Sequence, residues 1–152
     1  MEIIASMAYK GQFRCLNPVK YRGNNNNITY RSRWEFVFMR FCDNNKDVLE
    51  WSSEEFFIPY KCRTDGKVHR YFPDFKVKVK TATGKVVTRV IEIKPRGQTV
   101  PPNRPPRMSR RYLNEAMTYA KNKSKWEAAR SWCADRGYDF VIMTEKELGL
   151  RF

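Results

Sequence analysis

The sequence predicts an α/β (α+β) fold in a single domain over residues 1–152, and three observations lead to this class. A chain of 152 residues can bury one core but is too short for two independent domains. Apolar residues recur at helical spacing both before and after the middle of the chain. The middle itself alternates between apolar and polar residues, which is typical of strands. Helices on either side of a strand-rich centre define the class.

The chain begins with a segment in which regular structure is not expected. Gly11, Pro18 and Gly23 precede an unbroken run of asparagines at residues 24–27, and residues of these types favour turns and loops. Residues 1–30 are therefore predicted to form an N-terminal arm.

A helix is predicted over residues 32–42. Ser32 is followed three residues later by Glu35, which is the pattern of a capping box, where each side chain satisfies a backbone N–H of the other residue. Apolar residues recur there at helical spacing, namely Trp34, Val37, Phe38 and Phe41. Two short aromatic-rich stretches follow at residues 48–51 and 56–60, and both predict strands.

The clearest hairpin joins residues 69–80 to residues 85–94. Both segments alternate, and residues 81–84 supply a polar turn that contains glycine. With the turn centred there, Asp74 lies roughly opposite Glu92, where facing side chains are about 5 Å apart. The register therefore brings two carboxylates onto one face.

Residues 95–111 are predicted to form an extended basic loop, because five prolines exclude regular structure. The loop carries the arginines Arg96, Arg104, Arg107, Arg110 and Arg111. Helices are then predicted at residues 109–121 and 124–136, with Gly137 closing the second. Residues 138–143 predict a buried strand, and a last short helix is expected to begin at Thr144.

Thirty Lys and Arg residues against sixteen Asp and Glu residues give a formal net charge of +14. A field of this sign attracts polyanions, so double-stranded DNA is the expected partner. A membrane is not expected, because the chain has no long apolar run and no single basic amphipathic helix. The loop arginines are expected to hold the DNA backbone, with Lys125 a weaker candidate; a solvated linker is the alternative for the loop.

The four cysteines argue against a structural zinc site. They lack C-x-x-C spacing, and His69 is the single histidine. They are expected to be free thiols in the core of a cytosolic protein; they are Cys15, Cys42, Cys62 and Cys133.

The pair Asp74 and Glu92 suits a hard divalent cation, Mg²⁺ with Mn²⁺ as a substitute, because adjacent carboxylates repel until a cation lies between them. Such an ion supports phosphodiester hydrolysis by activating water and by offsetting charge on the phosphate. Lys94, on the same strand face as Glu92, is expected to orient the nucleophile or to offset that charge. Glu35 is either a further ligand or only a capping residue, and His69 is either catalytic or structural.

Mixed charge on an exposed strand face is the alternative explanation for these residues. The pairing of Y-F-P-D-F at residues 71–75 with I-E-I-K-P at residues 91–95 across one hairpin, downstream of Glu35, favours catalysis.

Through these two motifs the chain resembles the PD-(D/E)xK nucleases. Along nearly its whole length it is similar to the head completion proteins of T4-like bacteriophages, and more distantly to the endonuclease subunit of heteromeric transposases. The phage resemblance rests further on I-T-Y-R-S-R-W-E at residues 28–35, I-P-Y at 58–60, K-W-E-A-A at 125–129 and V-I-M-T-E at 141–145.

The resemblance implies a restriction-endonuclease-like core, in which helices flank a mixed sheet. It implies an Mg²⁺-dependent DNA endonuclease with Asp74, Glu92 and Glu35 as metal ligands and Lys94 as a catalytic residue. It also implies action on or near the packaged DNA end, in the host cytoplasm during assembly or in the virion head or neck, next to portal and neck proteins. A non-catalytic DNA-binding neck plug and a nuclease of recombination or transposition are the alternatives.

Overall fold

The structure, a computed structural model, describes residues 9–149. In chain order its elements are β1 (Gly11–Gln12), a 3-10 helix (Pro18–Lys20), β2 (Thr29–Tyr30), α1 (Arg33–Asn44), β3 (Val48–Ser53), β4 (Ile58–Lys61), β5 (Val68–Tyr71), β6 (Phe75–Lys80), β7 (Val86–Ile93), a second 3-10 helix (Arg96–Gln98), α2 (Arg110–Arg136) and β8 (Asp139–Met143). The first eight residues of the expected N-terminal arm lie outside the described part of the chain.

A four-stranded mixed sheet in the order β3-β6-β7-β8 forms the centre of the protein. The first three strands pair antiparallel, whereas β8 runs parallel to β7. A parallel neighbour requires a crossover connection, and α2 provides it. The strands β4 and β5 form a separate two-stranded sheet, as do β1 and β2. The predicted α/β (α+β) class, with a mixed sheet flanked by helices, is confirmed.

The helix α1 covers one face of the central sheet. Its start is fixed by Ser32, whose side chain accepts a hydrogen bond from the Glu35 backbone N–H at 3.2 Å. Its apolar stripe buries Phe38 and Met39 against the sheet. The sheet residues in this core are Val48, Trp51, Phe75, Val77, Ile91 and Ile93.

The helix α2 packs on a second apolar cluster. Ala129 from this helix lies among buried residues of the small β4–β5 sheet, which are Ile58, Tyr60, Cys62 and Tyr71. Gly137 ends the helix with φ 70°, a left-handed conformation that glycine adopts without steric cost. Within residues 9–149, no helix has both the length and the apolar character needed to cross a membrane.

The described part of the expected arm packs into the main core. Phe13, Tyr21 and Ile28 are all buried there. The ring of Tyr21 meets that of Trp51 edge to face, with 4.8 Å between centroids. Residues 9–30 therefore contribute to folding rather than extending from the domain.

The prediction of one strand over residues 69–80 is wrong. This segment forms β5 and β6, which pair in different sheets, and the chain changes sheet at Phe72–Pro73–Asp74. Pro73 has no N–H to donate to a ladder, which favours a break at this point. The break separates Tyr71, at the end of β5 in the small sheet, from Asp74, which directly precedes β6 in the central sheet.

Two predictions near the C-terminus are also wrong. The helices expected at residues 109–121 and 124–136 are one continuous helix, α2, because the buried side chain of Ser124 donates back to the Ala120 carbonyl instead of capping a new helix. The segment after β8 forms turns up to residue 149 rather than a helix, although Thr144 bonds to the Glu147 carboxylate as a cap would. The strand β8 itself is only partly buried.

Candidate active site

The acidic pair lies where β6 begins and β7 ends. The hairpin pairs Phe75 with Ile91 and Val79 with Val87, and one further step brings Asp74 opposite Glu92. The Asp74 carboxylate accepts a hydrogen bond from the backbone N–H of Ile93 at 2.8 Å. The register is the one that the sequence predicted.

Glu92 is a buried carboxylate, with 5% of its surface exposed. Its Oε1 accepts a hydrogen bond from the Tyr71 hydroxyl at 2.9 Å, and its Oε2 lies 3.9 Å from Lys94 Nζ. A buried glutamate with two specific partners is not part of a water-exposed charged face. The alternative of a merely solvated strand face is therefore excluded for this residue.

Glu35 comes from the first turn of α1. Its Oε1 accepts a hydrogen bond from the Arg31 backbone N–H at 3.3 Å, and its Oε2 lies 3.3 Å from the Ser32 hydroxyl. The reciprocal bond of the expected capping box thus goes to Arg31, one residue earlier than the pattern predicts. The negative charge of Glu35 also acts on Asp74, so the helix start belongs to the acidic cluster.

The surroundings of Asp74 and Glu35 make the ionisation of these two carboxyls unfavourable. Burial and the charge of Glu92 raise the pKa of Asp74 well above its usual range, and Glu35 adds to this effect more than Lys94 offsets it. Burial, with a smaller effect from the charge of Glu54, also raises the pKa of Glu35. Oxygen-only donors that repel one another in this way fit a hard divalent cation of the Mg²⁺ type.

Tyr71 is a site residue that sequence reasoning missed. It lies at the end of β5, and burial together with the charge of Glu92 raises the pKa of its phenol, so the hydroxyl stays a donor to Glu92 at neutral pH. A tyrosine at the end of a strand predicts only a core residue. Its position three residues before Asp74 could have drawn attention to Tyr71, but the sequence does not indicate that its partner is Glu92.

Glu54 was also missed. It follows β3 with φ 52°, an uncommon value for a residue other than glycine, and its N–H donates to the Asp74 carbonyl at 3.2 Å. Its carboxylate pairs with the Arg31 guanidinium. An acidic residue in a strand connection is ordinary in sequence, so no signal pointed to this position.

Lys125 lies on α2 and its side chain is partly buried. Burial lowers the pKa of its ammonium, Glu92 opposes that effect, and Lys94 reinforces it. Its Nζ is 5.8 Å from the centroid of the Tyr71 ring. The structure therefore places Lys125 beside the acidic cluster, together with the predicted Lys94.

The five predicted arginines are all exposed, but they do not share one segment. Arg96 follows β7 in a 3-10 turn, where its backbone N–H donates to Glu145 at 3.0 Å. Arg104 and Arg107 lie in irregular chain, whereas Arg110 and Arg111 begin α2. The loop runs along α2 and leaves a cleft of about 630 Å³ between them.

His69 pairs with Asp65 and is not a member of the acidic cluster. Its Nε2 lies 2.7 Å from the Asp65 carboxylate, and its ring lies beside that of Tyr60 at 5.7 Å between centroids. These contacts belong to the turn of the β4–β5 hairpin and support the structural alternative for this residue.

Two comparisons with known proteins bear on this site. The family model described as "TnsA-like endonuclease N terminal" matches residues 45–145, a segment that includes Asp74, Glu92 and Lys94 and begins after Glu35. The chain is also 41% identical over 146 residues to the head completion nuclease of Enterobacteria phage T4, covering 93% of this chain and 95% of that protein. The predicted similarity to nucleases and to a phage head completion protein is confirmed.

Proposed function

The chain belongs to the family of TnsA-like endonuclease N-terminal domains, and from this premise we propose that it hydrolyses phosphodiester bonds of double-stranded DNA with the help of Mg²⁺. The observation that carries the proposal is the convergence of Asp74, Glu92 and Glu35 at one end of the β6–β7 hairpin, with Lys94 beside them.

Three carboxylates are the ligands of this proposal. Asp74 would hold the ion with the oxygen that does not accept from Ile93, and Glu92 with Oε2, because its Oε1 accepts from Tyr71. Glu35 would complete the acidic set directly or through water. When bound, Mg²⁺ lowers the pKa of a coordinated water and offsets charge on the scissile phosphate, and Mn²⁺ substitutes for it. The raised pKa of Asp74 supports this assignment, because a bound cation would stabilise the ionised carboxylate against burial and against the charge of Glu92.

Lys94 supplies the positive charge next to the reacting phosphate. Its ammonium is partly buried and lies on the Glu92 side of the cluster, where it orients the attacking water or stabilises negative charge in the transition state. Lys125 is a second ammonium at the same place, and its depressed pKa brings its neutral form closer to working pH.

DNA is held by the exposed arginines of the loop and of the start of α2. The net charge of +14 attracts the duplex from a distance, and the guanidinium groups then contact backbone phosphates without reading bases. The contact residues in this proposal are Arg96, Arg104, Arg107, Arg110, Arg111 and, within the site, Lys125.

We assign the reaction to phage head completion, because the phage T4 relative is named a head completion nuclease and matches nearly the whole chain. The substrate is then the packaged DNA end or the DNA close to it, reached in the host cytoplasm during assembly and in the virion head or neck. Portal and neck proteins are the proposed neighbours. The near full-length match supports this role over one in recombination or transposition.

The test of the proposal is cleavage of supercoiled and linear DNA by the purified chain in Mg²⁺, in Mn²⁺ and in excess chelator. We expect cutting with either ion and none in chelator. Asp74→Ala is expected to abolish cutting, and Lys94→Ala to slow it about 10²- to 10³-fold, which is typical of losing one transition-state partner.

Binding separates the enzyme from a non-catalytic plug. Both variants are expected to bind DNA with wild-type affinity in a gel-shift assay, since the arginines provide most non-specific affinity. DNA binding without cutting in any ion would instead identify a neck plug, and normal cutting by Lys94→Ala would remove that residue from the mechanism.

A further inference from the structure

A second cluster of metal-ligating side chains lies at the turn of the β4–β5 hairpin. Cys62 follows β4 directly, Asp65 lies in the turn, and His69 is part of β5. The thiol sulfur, a carboxylate oxygen and an imidazole nitrogen all lie within 4.8 Å of one another. None of these three residues belongs to the acidic cluster of the active site.

We propose that Cys62, Asp65 and His69 bind a zinc ion, with water at the fourth position. This proposal is independent of the proposed nuclease function. The sequence argued against zinc because it lacks C-x-x-C spacing, but the hairpin turn brings together ligands that are spaced as C-x-x-D-x-x-x-H. Zinc accepts sulfur, oxygen and nitrogen ligands in one tetrahedral site.

The geometry is close to what zinc requires. Tetrahedral zinc with bonds of about 2.0 Å to nitrogen and oxygen and about 2.3 Å to sulfur places its ligand atoms about 3.3 to 3.5 Å apart. His69 Nε2 and Asp65 Oδ2 are 2.7 Å apart and need to separate by a few tenths of an ångström. The sulfur lies within 4.8 Å of the other two ligand atoms and needs to move inwards by up to about 1.3 Å. The Asp65 and His69 side chains are both exposed, so they have room to rotate toward these distances.

The chemistry of each ligand also suits zinc. Hydrogen bonds from the Thr64 hydroxyl and backbone lower the pKa of the Cys62 thiol, which favours the thiolate that binds metal. Asp65 keeps a fixed orientation because its Oδ1 accepts from the Lys67 N–H at 2.9 Å. A set that includes thiolate and imidazole selects zinc over Mg²⁺, which prefers oxygen alone. The two metal sites of the protein would thus differ in ion.

The bound ion would join the two strands of the hairpin. Cys62 directly follows β4 and His69 belongs to β5, so the ion would close one end of the small sheet. Ile58 and Tyr71 pair at its other end. Tyr71 donates to Glu92 from that far end. The zinc would therefore act as a structural clip on the element that positions Tyr71, outside the nuclease chemistry.

The test uses Co²⁺ as a spectroscopic substitute for zinc in the full chain and in its Asp74→Ala variant. We expect a sulfur-to-cobalt charge-transfer band that saturates at one ion per chain in both proteins and disappears when Zn²⁺ is added. The Asp74 site has no sulfur ligand and cannot give this band. Cys62→Ser is expected to lose it, whereas Cys133→Ser, which changes a buried thiol outside the cluster, retains it.

A second measurement does not depend on changing a buried residue. Asp65 and His69 are accessible at the turn, so Asp65→Ala and His69→Ala are expected to fold. Zn²⁺ should raise the melting midpoint of the wild type more than that of either variant, because binding of the ion at the acidic cluster contributes equally to all three proteins. The absence of the band in wild type up to millimolar Co²⁺, or an equal band in Cys62→Ser, would overturn the proposal in favour of a turn held by hydrogen bonds alone.

Discussion

At Asp74 the requirements of stability and of catalysis conflict, because the charged carboxylate that a metal ion needs is unfavourable in the folded protein. Its carboxylate ionises against burial and against two neighbouring acids, so the folded state binds its proton more tightly than the unfolded chain does. The same crowding gives a divalent cation its site. A residue under such conflict is expected where function, and not stability, determined the side chain.

The stability of the Asp74→Asn variant tests this conflict. Below the ordinary carboxyl pKa of about 4, Asp74 is neutral in both states and the substitution has little effect. As the pH rises, Asp74 ionises in the unfolded chain but stays protonated in the folded protein until a higher pH. The stability of the wild type therefore falls relative to that of the variant. We therefore expect Asp74→Asn to melt at a higher temperature at neutral pH without metal, by a margin that vanishes in acid.

Mg²⁺ provides the matching control for that experiment. The ion should raise the melting midpoint of the wild type at neutral pH and raise that of Asp74→Asn much less. A variant that melts below wild type across the whole pH range would contradict the assigned cause of the raised pKa.

Tyr71→Phe tests the hydrogen bond that holds Glu92. Removing a partner that orients a metal ligand typically costs about 10- to 100-fold in metal affinity or activity, and we expect an effect of that size here. A positioning role predicts a higher Mg²⁺ concentration for half-maximal cleavage, with unchanged affinity for DNA. Tyr60→Phe is the matched control, because Tyr60 is buried in the same small sheet. A change confined to the melting midpoint would assign Tyr71 to the core alone.

Individual residues differed in how far the sequence revealed them. Asp74, Glu92 and Lys94 could be grouped because strand alternation and a short turn determine which side chains face each other. Tyr71 and Glu54 could not, since one reaches the site from a separate sheet and the other through a left-handed turn. Such contacts depend on tertiary packing, for which a local pattern carries no information.

At the level of elements, the sequence located strands and helices better than it located their breaks. The alternation predicted over residues 69–80 holds in β6, whereas the ladder changes partner at Pro73 and β5 buries only Tyr71. The opposite error occurred in α2, where polar residues at 121–124 indicated a gap. Asn122 and Ser124 are buried there, so packing keeps the helix continuous.

The continuity of α2 leads to a prediction at Lys123. Proline in a helix interior removes a hydrogen bond and clashes with the preceding turn, at a cost of about 3 kcal/mol or more. We expect Lys123→Pro to lower the free energy of unfolding by that amount in urea titrations, whereas Lys123→Ala, at the same exposed position, changes it little. Similar stability of the two variants would indicate a flexible joint between two helices.

For the molecule as a whole, charge was the most direct guide to a partner, because a net +14 follows from composition alone. Which of the charged residues lie near the acidic cluster could only be seen in the fold. The loop arginines lie on chain that leaves the Glu92–Lys94 strand, whereas Lys80 and Lys85 lie at the opposite end of the hairpin. The loop arginines are therefore expected to contribute more to the proposed binding of DNA than Lys80 and Lys85.

Salt dependence distinguishes these two groups. Each lost phosphate contact reduces the slope of log affinity against log salt by about 0.9, so replacing Arg104 and Arg107 by alanine should reduce it by about 2. The double substitution of Lys80 and Lys85 by alanine removes the same charge and is expected to leave the slope nearly unchanged. Equal slopes for the two double variants would show that the charge acts diffusely and that the loop makes no direct contact.

The parallel pairing of β8 with β7 has a consequence for the order in which the chain acquires its structure. The hairpin that unites Asp74 and Glu92 closes a short loop, which is entropically inexpensive and fast. The parallel ladder cannot form until the 27 residues of α2 have been made and folded back. During synthesis the acidic pair is thus expected to meet first, and Lys125 to arrive with the crossover. In the nascent chain Asp74 and Glu92 would come together before Lys125 reaches them, and β8 would complete the sheet last.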